Sequence, residues 1–297
     1  MASTTNGSSF EGLILSKLFT FRVGNQQQEF TVHSGAVAAV SSQLNALINN
    51  GMLESQTGSA DLSDIEPVDF VRFVEYTYRN DYTSPSWVLE DKVADVEAGK
   101  SEKGKVLRPS HMSIRARNAA SQVQPPQTML RRQQQHFGSP TLPPVTLESR
   151  LMDRIYLSDA EPNVCMQKGF KHQPNTAPEQ NFAPVFLAHA RLYTFACKRF
   201  IDPLKRLALH KLRGNLLDFT PFHRRLVDVV ELVRYAYDHC ENRKNDGTVD
   251  ELRMLVTEYV GCQISLFKND KDFVQLLEEG REFAVDLVRV IGEDKLR

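Results

Sequence analysis

Apolar and polar residues alternate along two short runs near the start of the chain, Phe19-Thr20-Phe21-Arg22-Val23 and Glu29-Phe30-Thr31-Val32. A period of two puts the apolar side chains on one face of a half-buried strand. The connection Gly24-Asn25-Gln26-Gln27-Gln28 is polar and has a glycine for the turn, so the runs pair as an antiparallel hairpin. Such a hairpin is marginal in water alone and needs helices packed on it. The period then lengthens. Ser34 is placed to cap a helix whose Val37 and Val40 face the hairpin, and Ser41 to cap a second with Leu44, Leu47 and Ile48 inward. Asn49-Asn50-Gly51 is a helix stop. A short strand candidate, Ala60-Asp61-Leu62, leads to Pro67 in the first turn of a third helix. There Phe70, Phe73, Val74 and Thr77 form one apolar stripe.

Periodicity fades at Thr83-Ser84-Pro85. From about 84 to 183 the chain is rich in Ser, Gln, Pro, Lys and Arg, with Pro125-Pro126, Gln133-Gln134-Gln135 and Pro143-Pro144. A segment of this kind buries too little apolar area to offset chain entropy, so disorder is expected over most of it. Trp87-Val88-Leu89 and Leu147–Tyr156 are the two pieces with local structural signals. Loop-closure entropy grows only logarithmically with length, so a long insertion is thermodynamically tolerable.

Helical stripes return at Pro184. They comprise Ala188, Leu192, Phe195 and Ala196; Leu204, Leu207, Ala208 and Leu212; then Leu226, Val229, Val230, Val233 and Tyr237 on a helix opened by Pro221. Leu252, Leu255, Val256, Tyr259 and Val260 follow, Asp270 caps a short helix, and Phe283, Ala284, Leu287, Val288 and Ile291 close the chain.

The formal net charge of −1 argues against a general polyanion binder. No apolar run approaches the roughly 20 residues of a membrane span. The polar start, Met1–Gly7, has no basic region followed by an apolar core, so no secretory signal is expected there. The four cysteines, Cys165, Cys197, Cys240 and Cys262, form no C-x-x-C pair and read as reduced thiols, which points to cytoplasm or nucleus.

Several of these signals fall in a known order. The hairpin is followed by Val32-His33-Ser34, Val37 and Ser41-Ser42, then Gly51-Met52-x-Glu54-Ser55, Leu62-x-Asp64-x-x-Pro67-x-x-Phe70 and Tyr76-x-Tyr78-x-x-Asp81-Tyr82. This succession resembles a BTB (POZ) domain, with the closest likeness to the short BTB proteins of filamentous fungi. The likeness covers Leu15–Tyr82 and resumes over Val185–Leu217. There Tyr193 and Ala196 stand in a Tyr-x-x-Ala pattern and Leu204-Lys205-x-Leu207-Ala208-x-x-Lys211-Leu212 follows.

The resemblance implies an α+β fold, a small sheet capped by helices. The expected organisation is a polar tail over 1–14, the domain over 15–217 with the insertion at about 84–183, and a helical extension over 218–297. It marks His33, Ser41, Phe70, Tyr76, Tyr78, Tyr82, Tyr193 and Ala196 as carriers of the fold. It also implies an interaction module rather than an enzyme, self-association as a homodimer, and the prospect of cullin-3 as partner in a ubiquitin ligase. A scaffold or transcription-related regulator is the alternative. The family's hydrophobic-x-Glu feature falls on Met52-Leu53-Glu54. Where many family members have Ser-Asp before the first strand, this chain has Lys17-Leu18-Phe19, which counts against a charged dimer pocket.

Other chemistry is weak. His33 at a strand-to-helix junction is expected to bond a backbone group. His189 and Cys197 lie eight positions apart, about two turns, too far for a nucleophile–base pair on one helix. His239-Cys240 with Cys262 lacks metal-ligand spacing. No phosphate-binding loop or nucleophile elbow is present. Accordingly no catalytic residue, cofactor, metal, small-molecule substrate, nucleic-acid site or membrane contact is expected. Lys100, Lys103, Lys105, Arg108, Arg115 and Arg117 make the early insertion basic, without aromatics to stack on bases. Ser139-Pro140 is a candidate phosphorylation site.

Overall fold

The computed structural model describes residues 10–90, 112–122, 146–157, 174–279 and 282–295. In chain order the elements are α1 (Phe10–Ile14), β1 (Leu18–Val23), β2 (Gln28–His33), α2 (Ser34–Val40), α3 (Ser42–Asn49), α4 (Leu53–Thr57), β3 (Ser59–Leu62), α5 (Pro67–Arg79), β4 (Val88–Leu89), α6 (Ile114–Gln122) and α7 (Leu147–Asp153). They continue with β5 (Gln180–Asn181), α8 (Ala183–Lys198), α9 (Asp202–Asp218), a 3-10 turn (His223–Arg225), α10 (Leu226–His239), α11 (Glu251–Cys262), α12 (Ile264–Phe267), α13 (Lys271–Glu278) and α14 (Glu282–Lys295). They form two compact units.

The first unit takes residues 10–86, 156–157 and 187–212. Its sheet has the order β2-β1-β3. The hairpin expected from the alternation is present, with Phe21 opposite Phe30. β3 lies parallel on the other side of β1, Phe21 opposite Ala60, so the helices α2–α4 make the crossover that parallel pairing requires. Phe19, Phe21 and Val23 of the central strand are all buried. α5 covers them: Phe70 stands 5.5 Å from Phe21 and 5.2 Å from Phe30, and Phe73 stands 5.0 Å from Phe195 of α8.

Ser41 caps α3 as expected, accepting from the Leu44 N–H at 3.2 Å, and Pro67 opens α5. Ser34 differs. It is the first helical residue rather than the cap, and His33 before it contributes no side-chain cap. The Ser34 N–H instead donates to Lys17 O at 2.7 Å, which ties α2 to the chain just before β1.

The second unit takes residues 87–90, 112–122, 146–155, 174–186, 213–279 and 282–295. Within the insertion, β4 and α7 fall on the two pieces with local structural signals, and α6 and β5 are further elements. Specific bonds that composition does not reveal hold these pieces. Arg154 makes two 2.6 Å bonds to Glu258, which is 3% exposed, and the Leu147 N–H reaches Asp294 at 2.5 Å. Arg117 donates to Gln263 at 2.8 Å. Gly261 permits this packing: a Cβ there would meet Leu147 Cδ2 at 2.8 Å. The Gln- and Pro-rich runs, Lys100 to Arg108, Ser139-Pro140 and Cys165 lie outside the described residues.

The stripes on α10 and α11 are buried as expected. Between Pro221 and α10, however, the chain first makes the 3-10 turn. On α14 Val288 is 71% exposed, and Asp286 faces inward instead. The cause is polar: the Tyr237 hydroxyl donates to Asp286 at 2.9 Å, and Arg243 pairs with the same carboxylate. Arg253, 1% exposed, ties α11 to the end of α10 by donating to the Tyr237 and Cys240 carbonyls, both at 3.1 Å.

Arg154→Ala leaves the Glu258 carboxylate buried without its partner, so the second unit should lose about 3 kcal/mol of stability. Chemical denaturation followed by circular dichroism checks this; a change within about 0.5 kcal/mol would show that α7 is not held by this pair.

Candidate interaction surface

Among the residues that build the first unit, His33 lies under Tyr78. Its backbone N–H donates to the Tyr78 hydroxyl at 3.1 Å, and Nδ1 is 2.8 Å from the same oxygen. The histidine thus fixes the junction through a side chain on α5, not through the backbone group expected. Ser41 does more than cap α3: its hydroxyl donates to Arg199 O at 2.7 Å, 158 residues further along the chain. Tyr76, Tyr193 and Ala196 are buried, and Ala196 O accepts the Ile201 N–H at 2.9 Å where α8 ends. Tyr82, 1% exposed, meets His189 Nδ1 at 2.7 Å. Burial, reinforced by Asp81, pushes the Tyr82 phenol up, so it keeps its proton and can donate.

Two buried charges accompany these residues. Lys211 of α9 is 1% exposed, pairs with Asp81 at 2.6 Å, donates to Tyr82 O and stands 4.4 Å over the Tyr82 ring. Burial lowers its pKa while Asp81 opposes the shift. Asp69 is 2% exposed between Arg72 at 2.8 Å and Arg191 at 3.7 Å. Its Oδ2 has no hydrogen bond among the described residues, and burial outweighs the two arginines to raise its pKa. Lys211 stands beside Leu212 in a helical stripe, and its polarity conceals its burial in the sequence.

These residues are core; the surface lies elsewhere. α1 buries none of its side chains. Phe10 is 66% exposed, Leu15 76% and Leu18 63%. The segment is nevertheless tethered: Ser16 Oγ donates to Leu13 O at 2.7 Å and accepts the Gly35 N–H at 2.9 Å. Gly35 is required for this approach, because a Cβ would meet Ser16 Oγ at 2.9 Å. A second apolar site lies at the start of α4. Met52 is its N-cap without a side-chain bond, 64% exposed, and Leu53 is 70% exposed. Glu54 is half-buried in the first turn, where the helix dipole favours a carboxylate. Its carboxylate has no hydrogen bond or ion pair to any described residue, while its carbonyl accepts from Gly58. Met52, Leu53 and Glu54 thus form one exposed step, separate from the buried set.

Residues 19–98 match the family model of the BTB/POZ domain. The chain carries a BTB/POZ domain. No curated protein matches the chain significantly. The BTB/POZ domain is a non-enzymatic protein–protein interaction module, in keeping with apolar side chains left in solvent on α1 and α4. The match ends at residue 98, yet the first unit of the structure also contains residues 187–212, so the fold around this BTB/POZ domain is completed by chain beyond the insertion. Among the described residues no group of His, Cys, Asp or Glu is placed to hold a metal ion, and no helix is long and apolar enough to cross a membrane.

Asp81→Asn should cost about 3 kcal/mol, because it leaves a buried ammonium without its counter-charge. The double variant Asp81→Asn with Lys211→Met should recover part of that loss. A double-mutant cycle by urea denaturation measures the coupling, and additivity within about 0.5 kcal/mol would dismiss the pair as an organising contact.

Proposed function

We propose that this protein is a homodimerising adaptor whose BTB/POZ domain takes a partner at Met52-Leu53-Glu54, with cullin-3 of a ubiquitin ligase as that partner. The observation carrying this reading is the step at the start of α4, where Met52 and Leu53 are exposed and the Glu54 carboxylate has no partner among the described residues. An unbranched methionine is an adaptable apolar anchor, and a free carboxylate beside it orients a basic partner. Self-association is supported by Phe10, Leu15 and Leu18, whose exposure on a tethered segment leaves apolar surface for a second copy. In this reading the second unit presents the surface for the ligase substrate. Oligomerisation alone, as in a scaffold or transcription-related regulator, uses α1 and needs nothing from α4.

Pull-down of the cullin-3 N-terminal region by the full chain tests the adaptor reading. Binding is expected, and Glu54→Lys should weaken it about tenfold or more, as for loss of an anchor worth about 1.4 kcal/mol. Absence of binding at tens of micromolar leaves the scaffold reading. Light scattering of the full chain should give a dimer, and Leu15→Asp with Leu18→Asp should shift it to monomer while circular dichroism stays unchanged.

A further inference from the structure

The second unit holds a charge cluster that the proposed interaction surface does not use. Arg225, in the turn before α10, is 2% exposed. Its Nη2 donates to Glu90 Oε2 at 2.5 Å, while Nη1 has no hydrogen-bond partner among the described residues and lies 3.5 Å from Asp228 Oδ1. One guanidinium is thus shared unequally between two carboxylates. Glu90 directly follows β4 in a short strap. Val88 and Leu89 pair with Asn181 and Gln180, the Glu90 N–H reaches Glu179 O at 2.9 Å, and Asn181 Nδ2 donates to Glu90 Oε1 at 2.6 Å. Arg224 stands 3.6 Å from Glu90.

Asp228 is 1% exposed and accepts the Phe182 N–H at 2.7 Å. On the same helix, exposed Glu231 interacts electrostatically with Glu90 and Arg225, and with Asp272 of α13. The carboxylates Glu90, Asp228 and Glu231 therefore outnumber the guanidiniums of Arg224 and Arg225. Burial pushes Asp228 up to about 7, with Glu90 adding to the rise and the Phe182 N–H and Arg225 opposing it. The hydrogen bond from Arg225 holds Glu90 below the usual carboxylate range. Coupling of this kind is reciprocal: if ionised Glu90 makes Asp228 keep its proton, loss of that proton weakens the hold on Glu90 by the same factor. Glu90 is the partly exposed member and is free to leave, whereas Asp228 and Arg225 are buried.

We propose that Arg225 is a proton-controlled latch for the strap 87–90: with Asp228 neutral the guanidinium holds Glu90, and with Asp228 ionised, its proton given up to water, the guanidinium is drawn inward and the strap is released.

The chain has its one tryptophan, Trp87, half-buried at the start of this strap. Acrylamide quenching of Trp87 fluorescence in the full chain, between about pH 5.5 and 8.5, should show a one-proton transition near the value of about 7 for Asp228, with Trp87 more accessible at high pH. D228N should abolish the transition and keep the low-pH signal throughout. E90Q should give the high-pH signal throughout. H223N, which removes an exposed imidazole from the same turn, should leave the transition in place. Stability follows the same sign. A carboxyl raised in the folded state contributes stability below its unfolded value and loses it as pH rises through about 7, so Tm should fall over that range in the native chain and less in D228N. A flat Trp87 signal in the native chain, or a transition that persists in D228N, overturns the latch. If D228N does not fold, hydrogen exchange of the native chain decides. Amides 88–90, corrected for intrinsic rate, should be less protected above the transition than below it. Equal protection overturns the proposal.

Discussion

The ammonium group of Lys211 is buried in the first unit, and a charge can exist there only if its partners arrive together. Asp81, the Tyr82 carbonyl and the Tyr82 ring all come from the chain just beyond α5, while the lysine comes from α9, 129 residues later. Ser41 on Arg199, Phe73 on Phe195 and Tyr82 on His189 likewise join the early part of the first unit to α8 and its end. A three-stranded sheet with one layer of helices has little core of its own, so the later helices are part of the fold rather than an addition to it. The insertion between them adds closure entropy that rises slowly with length, and these contacts offset it.

With the core closed in this way, the apolar residues left outside become informative. Isolated exposed apolar side chains are ordinary, but Phe10, Leu15 and Leu18 lie on one short tethered segment, and Met52 and Leu53 are adjacent. Phe200 is 73% exposed and also has φ 55, a conformation that costs a bulky residue free energy.

The second unit depends more on buried charge. Arg225, Arg253, Asp228, Glu258 and Asp286 are all nearly inaccessible and are paired with one another or with neighbours at the surface. Pairs of this kind contribute little net stability compared with apolar packing, but each is costly to break, and they specify which helix faces meet. That is how short segments from within the insertion find defined places through Glu90, Arg154 and Arg117.

The sequence by itself determined the elements with strong local spacing. The period-two runs at Phe19–Val23 and Glu29–Val32, the Ser41 and Asp270 caps, Pro67, and the stripes on α5, α10 and α11 were all legible because they depend on local spacing and backbone bonding. The order of those elements also carried the BTB/POZ resemblance, and with it Met52-Leu53-Glu54. Only tertiary structure decided which polar residues are buried. Lys211, Asp69, Asp228 and Arg225 are buried, and Asp286 rather than Val288 faces the core. Local spacing reports the average preference of a side chain for water. It carries no record of which charges the fold brings together, as it does Asp81 with Lys211 and Glu90 with Arg225, and such pairing is what makes burial of these groups possible.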